Sequence, residues 1–329
     1  MSAEVFCDDR PVREAAIACA EVDARHCREA IRTGSKSFHA ASRLLPARVR
    51  EPAFALYAFC RLADDAVDEG GRAGASARRA RRLGLIATGR PAPHPADRAF
   101  ARVIRRHAIP VEIPAALIEG LSWDEGGRRY ETLADVEAYA ARVAATVGVM
   151  MTLILGERRP EVLARAADLG VAMQLSNIAR DVGEDARAGR LYLPRGWMRA
   201  EGLDPDAFLA APAHSPALGR VVGRLLDRAE TLYDRSLSGI ARLPRDCRPG
   251  IAAARLMYRE IGRTVAALMR PRPVGAAPLD ACAFLIEAVE RHDRLDPAIA
   301  HALGGRLTRA LDFFVKAAID IERRGLVGS

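Results

Sequence analysis

The sequence predicts an all-α protein. Half of its 329 residues are apolar yet only 5% are aromatic, and alanine, leucine and arginine dominate, a helix-forming mixture. β-Branched runs are scarce, and apolar residues recur at helical spacing through most of the chain.

Residues 11 to 41 follow a helical pattern interrupted by Thr33-Gly34-Ser35-Lys36-Ser37 just before Phe38. Pro46 and Pro52 bracket a short connection, and Phe54, Leu56, Tyr57, Phe59, Cys60 and Leu62 form the apolar part of a helix ending near Asp68-Glu69-Gly70-Gly71. Residues 71 to 98 read as a short helix and a proline-rich loop. Helices are then expected over 97 to 108, 114 to 129, 133 to 156 and 160 to 184, followed by a break from Gly183 to Pro194. Further helices are expected at 216 to 241, 248 to 268, 279 to 292 and 296 to 323. The proline-rich stretch Arg270 to Pro278 lies too near the end to divide two domains. The chain therefore reads as a single domain, 1 to 329, with a helical core at 11 to 268 and a helical tail at 269 to 329.

The net charge of +8 suits an anionic partner, but the excess reads as spread along the chain. Arginine supplies nearly all of it, lysine occurring only at Lys36 and Lys316. No docking motif with interleaved aromatics appears, which argues against a nucleic-acid partner. The six cysteines show neither C-x-x-C pairing nor an accompanying histidine cluster, so no zinc site or disulfide framework is indicated. The acidic N-terminus does not read as a signal peptide, and the longest apolar run, Val143 to Gly156, falls short of the roughly 20 residues that span a bilayer. A cytoplasmic enzyme is expected, with peripheral membrane contact left open.

Two acidic clusters stand out. Asp64 and Asp68 lie four residues apart, so on a helix their carboxylates share a face. Asn177, Asp181 and Asp185 fall at i, i+4 and i+8, with Gln174 on the same stripe. Either pair alone also reads as a solvated helix face. Both, however, end strongly apolar helices, and each has an arginine beside it, Arg61 or Arg180, of the kind that binds phosphate. Adjacent carboxylates repel unless cations bridge them, and hard oxygen ligands suit Mg²⁺ or Mn²⁺.

The stretches Gly34-Ser35-Lys36-Ser37-Phe38, Tyr57 to Asp65, and Asn177 to Asp185 followed by Gly189-Arg190-Leu191-Tyr192-Leu193-Pro194 resemble the squalene and phytoene synthase family, its bacterial phytoene synthases in particular. That resemblance implies a single-domain helical bundle of the isoprenoid synthase type around a central cavity, with the two aspartate motifs facing each other. It implies a prenyltransferase joining two allylic prenyl diphosphates head to head, here two geranylgeranyl diphosphates through prephytoene diphosphate to phytoene, the first committed step of carotenoid biosynthesis. Farnesyl diphosphate chemistry and a non-catalytic lipid-binding relative are the alternatives. Asp64, Asp68, Asp181 and Asp185 would be metal ligands. Arg61, Arg180 and Lys36 would contact diphosphate, with Ser35 and Ser37 donating hydrogen bonds. Gln174 and Asn177 fit as secondary ligands. Tyr57, Tyr130 and Tyr258 fall where the family places cavity-lining tyrosines, although a buried tyrosine is also an ordinary core residue. No glycine-rich dinucleotide loop is present, and no nicotinamide is expected. After Tyr258 the sequence departs from the family pattern.

Overall fold

A computed structural model describes residues 10–65 and 74–269, without the side chains at 10–16, 36, 37, 65 and 268. Asp68 and the tail beyond Met269, with its two expected helices, lie outside the described residues. Within them every regular element is helical.

Helix α1 (Arg10–Gly34) and helix α2 (Lys36–Ser42) are separated by Ser35 alone. That residue turns extended and caps α2, its hydroxyl accepting from the Phe38 N–H at 3.2 Å. Helix α3 (Ala47–Asp65) starts earlier than the sequence suggested, and Pro52 lies inside it. Proline removes only its own hydrogen bond there, and the preceding turn is closed by Val49 and Arg50 donating to the Pro46 carbonyl.

Helix α4 (Ala75–Ala87) leads to α5 (Pro95–His107), capped by His94, and then to α6 (Glu112–Glu125). Helix α7 (Leu133–Ala140) opens on a reciprocal capping pair, Thr132 and Asp135. The single helix expected over 133 to 156 is interrupted by a π-helical turn, Ala141–Ala145, before α8 (Thr146–Ile154). The stretch Leu133–Ile154, with mean hydropathy 1.3, is long and apolar enough to cross a membrane by composition; here it packs on α6 and on α9 (Pro160–Arg187). The break expected at Gly183 is deferred, because one glycine costs a helix only about 1 kcal/mol. The stop is Gly189, at φ +75°, whose N–H bonds the Ala186 carbonyl while that of Arg190 bonds Asp185. Two short helices that the sequence did not announce follow, α10 (Arg195–Ala200) and α11 (Pro205–Ala210), and then α12 (Pro216–Ile240) and α13 (Arg248–Met269).

The apolar interior forms two main clusters. One gathers α1, α3, α5, α6 and α8 and includes Phe59 stacked on Phe100 with ring centroids 4.0 Å apart. The other gathers α7, α9, α12 and α13 around Leu175, Val222, Leu225 and Tyr233. Burial of each such side chain contributes roughly 1.5–3 kcal/mol. The seam between the clusters is close: a Cβ on Gly170 of α9 would lie 2.6 Å from Ala145 Cα, and one on Gly148 of α8 would lie 2.7 Å from the Ala166 carbonyl oxygen. That contact fixes the height of α9 against its neighbours, and so the position of its polar stripe.

Candidate active site

The C-terminal ends of α3 and α9 open onto one cavity of about 530 Å³. Asp64 reaches it from α3, and Gln174, Asn177, Asp181 and Asp185 reach it from α9, where helical spacing puts all four on one face. The end of α6 adds Leu121, Asp124 and Glu125. Tyr139, Arg79, Arg190 and Tyr192 complete the polar wall. Asp64 of the first cluster and the aspartates of the second therefore line one shared space.

The electrostatics of that space disfavour bare carboxylates. Burial raises the Asp185 carboxyl above its ordinary range; Arg190, at 3.0 Å, offsets this while Asp181 and Glu184 add to it. Burial raises Asp124 as well, opposed by the Tyr192 and Tyr139 hydroxyls, each donating to one of its oxygens at 2.8 Å, and reinforced by the charge of Asp64. Asp181 is gripped by Arg180 through two hydrogen bonds of 2.6 Å, and Arg61 lies 3.9 Å from Asp64. Neither arginine lines the cavity; each lies against its own cluster's aspartate.

Asn177 bears most directly on whether the cavity suits such a ligand. Its side-chain oxygen is buried and has no hydrogen-bond partner among the described residues, an arrangement that costs roughly 1–3 kcal/mol unless a ligand engages that oxygen. Hard oxygen donors on separate walls suit a divalent cation shared with an anionic ligand. Among the described residues no three candidate ligands converge into a ready-made metal cage.

Of the other expected site residues, those described do not line this cavity. Ser35 caps α2, and the side chains of Lys36 and Ser37 lie outside the described set. Tyr57 and Tyr258 flank Phe38, with ring centroids at 6.3 and 5.2 Å, away from the polar cavity. Tyr130 is 1% exposed and stands one layer behind the wall, packed on Tyr139 and Tyr192, and its buried hydroxyl lacks a partner among the described residues. The tyrosines at the cavity are instead Tyr139 and Tyr192.

Several wall residues escaped the sequence reading. Arg190 and Tyr192 lie inside the Gly189 to Pro194 stretch, which carried the signal without a role for either. Arg79 of α4 pairs with Glu125 of α6 and donates to the Ala63 carbonyl beside Asp64, bracing the end of α3. Its partners lie 16 and 46 positions away, so no local pattern could have found it.

Known proteins identify the family. A phytoene synthase of Rhodobacter capsulatus is 59% identical over 251 residues, covering 75% of this chain and 74% of its own. One from Cereibacter sphaeroides is 55% identical over 261 residues, covering 76% and 73%. Among solved structures, a dehydrosqualene synthase in complex with ligand superposes with a TM-score of 0.72 at 30% identity, covering 84% of this chain and 98% of its own. A squalene synthase from Alicyclobacillus acidocaldarius gives 0.69 at 26% identity, covering 76% and 95%. Residues 31–280 match the squalene/phytoene synthase family, and the chain belongs to that family.

Proposed function

We infer that the chain is a prenyltransferase that condenses two geranylgeranyl diphosphates head to head, through prephytoene diphosphate, to phytoene. The phytoene synthases at 55% and 59% identity favour this product over a C30 one. The single observation that carries the chemistry is the meeting of Asp64 with Asp181 and Asp185 in one cavity.

The first half of the condensation breaks an allylic C–O bond and the second breaks the cyclopropylcarbinyl C–O bond of prephytoene diphosphate, and each half expels one diphosphate and one proton. Charge on the leaving oxygens must be neutralised while the carbocation stays dry. Asp64, Asp181, Asp185 and, outside the described residues, Asp68 would hold Mg²⁺ or Mn²⁺, with Gln174 and Asn177 as further oxygen donors. Such ions would supply Lewis-acid neutralisation of the leaving diphosphate. Arg190 and Arg180 are suited to bind diphosphate oxygens once cations take over their carboxylates. Asp124 holds the Tyr139 and Tyr192 hydroxyls in fixed positions at the wall. The reaction needs no nicotinamide, and a cytoplasmic enzyme touching a membrane to release its hydrocarbon fits this reading.

The test is to incubate the purified protein with labelled C15 and C20 diphosphates and magnesium, with and without a reduced nicotinamide. A C40 hydrocarbon from the C20 substrate, indifferent to nicotinamide and abolished by chelation, is expected. A C30 product as the main outcome would sink the assignment.

A further inference from the structure

We propose that the end of the bundle remote from the aspartates is a docking face for an anionic lipid bilayer, formed by arginines on four connections between helices. At about 1.5 Å per residue, α9 carries Pro160 roughly 38 Å from Asp185. Around Pro160 the chain's turns are tied together. Arg158 donates to the His107 and Ala108 carbonyls, Arg159 donates to the Arg242 carbonyl at 3.1 Å, and Arg48 pairs with Asp246. The connections near residues 46, 109, 158 and 244 therefore lie side by side. Each contains a proline, Pro46, Pro110, Pro160 or Pro244, which stiffens it.

Segments 43–51, 105–112, 155–161 and 241–248 hold ten arginines against five carboxylates. The sequence impression of an evenly spread charge is thus corrected by the fold, which collects basic residues that are far apart in the chain. Arg43, Arg105, Arg106 and Arg245 are exposed and form no ion pair among the described residues. Leu237, 43% exposed, sits in the last turns of α12 beside this end. Next to it a cleft of about 420 Å³, lined by Arg165, Ser238 and Arg242 together with Glu161 and Ala164, offers a seat for a headgroup.

The choice of a bilayer rests on the proposed function, since a C40 hydrocarbon cannot accumulate in water. It also rests on the composition of the face: none of the four segments contains an aromatic residue, so a single-stranded nucleic acid would find nothing to stack on. Docked this way, the aspartate cavity faces the water from which cations arrive.

The experiment is co-sedimentation of the full chain with vesicles of phosphatidylcholine alone or mixed with phosphatidylglycerol, across a salt series. Binding to the anionic vesicles only, weakening as salt rises, is expected. Reversing Arg43, Arg105, Arg106 and Arg245 to glutamate should weaken it by about a hundredfold or more, each basic residue near such a surface being worth several-fold. The same reversal of Arg129, Arg199, Arg220 and Arg224, exposed elsewhere on the molecule, should change it far less. Equal losses in both variants, or none in the first, would overturn the docking face. So would stronger binding of RNA than of vesicles by the same arginines. Deuterium uptake of the unmodified protein on vesicles, expected to fall at the four segments, decides the matter if the first variant does not fold. Product formation from C20 diphosphate in detergent is read alongside. In the unmodified chain, its absence with vesicle binding intact counts against the enzymatic reading alone, and its presence without vesicle binding counts against the docking face alone.

Discussion

Asn177 shows how a single residue exchanges stability for function. Its buried oxygen has no partner among the described residues, so Asn177→Ala should leave the melting temperature unchanged or raise it while lowering kcat/KM at least about tenfold. Thermal melts and steady-state assays on one preparation check both halves. Asp181→Asn should remove most turnover and weaken the dependence on magnesium; activity within a few fold of the parent would contradict its role as a ligand. The paired aspartates were legible because two carboxylates four apart on an apolar helix pose a question that the sequence itself displays. Asp124 was not. It sits between Trp123 and Glu125 with no acid four residues away to pair with, and its significance comes from Tyr139 and Tyr192, which arrive from 15 and 68 positions away.

Among the elements, the crossing of the π turn and α8 with α9 is the most constrained. Gly170→Val would drive a branched side chain into Ala145 Cα and the Ala144 carbonyl, and a loss of about 3 kcal/mol or more is expected, measured by denaturant unfolding. The turn that joins α8 to α9 is held by Glu157. Its carboxylate accepts from the Arg159 side chain and from the N–H groups of Arg158 and Arg159, which lower its pKa from 4.5 to about 2. A lowered folded-state pKa means stability that is present above pH 4.5 and lost as pH falls toward 2. Glu157→Gln should thus cost roughly 1–2 kcal/mol at neutral pH, with the difference from the parent shrinking through that acid window. Helix identities were readable from periodicity. Pro52 and Gly183 misled because a breaker's effect depends on tertiary support, and the π turn left no mark because one extra residue in a turn does not disturb an apolar run.

For the molecule as a whole, the all-helical class follows from composition, and the union of the two acidic stripes follows once α9 is packed against the π turn and α8. The basic end could not be read in advance, because its arginines come from four segments that span some two hundred positions. Charge polarity of that kind belongs to the fold and not to the sequence.

Arg180 holds the two oxygens of Asp181 that the proposed cation would use. On that proposal a cation arriving alone would have to displace the guanidinium and would gain little. A cation arriving with a diphosphate would give the displaced group a new anion to hold. Each ligand would then promote the other by the same factor, as reciprocity demands, and the site would not be fully armed until there was a substrate to ionise.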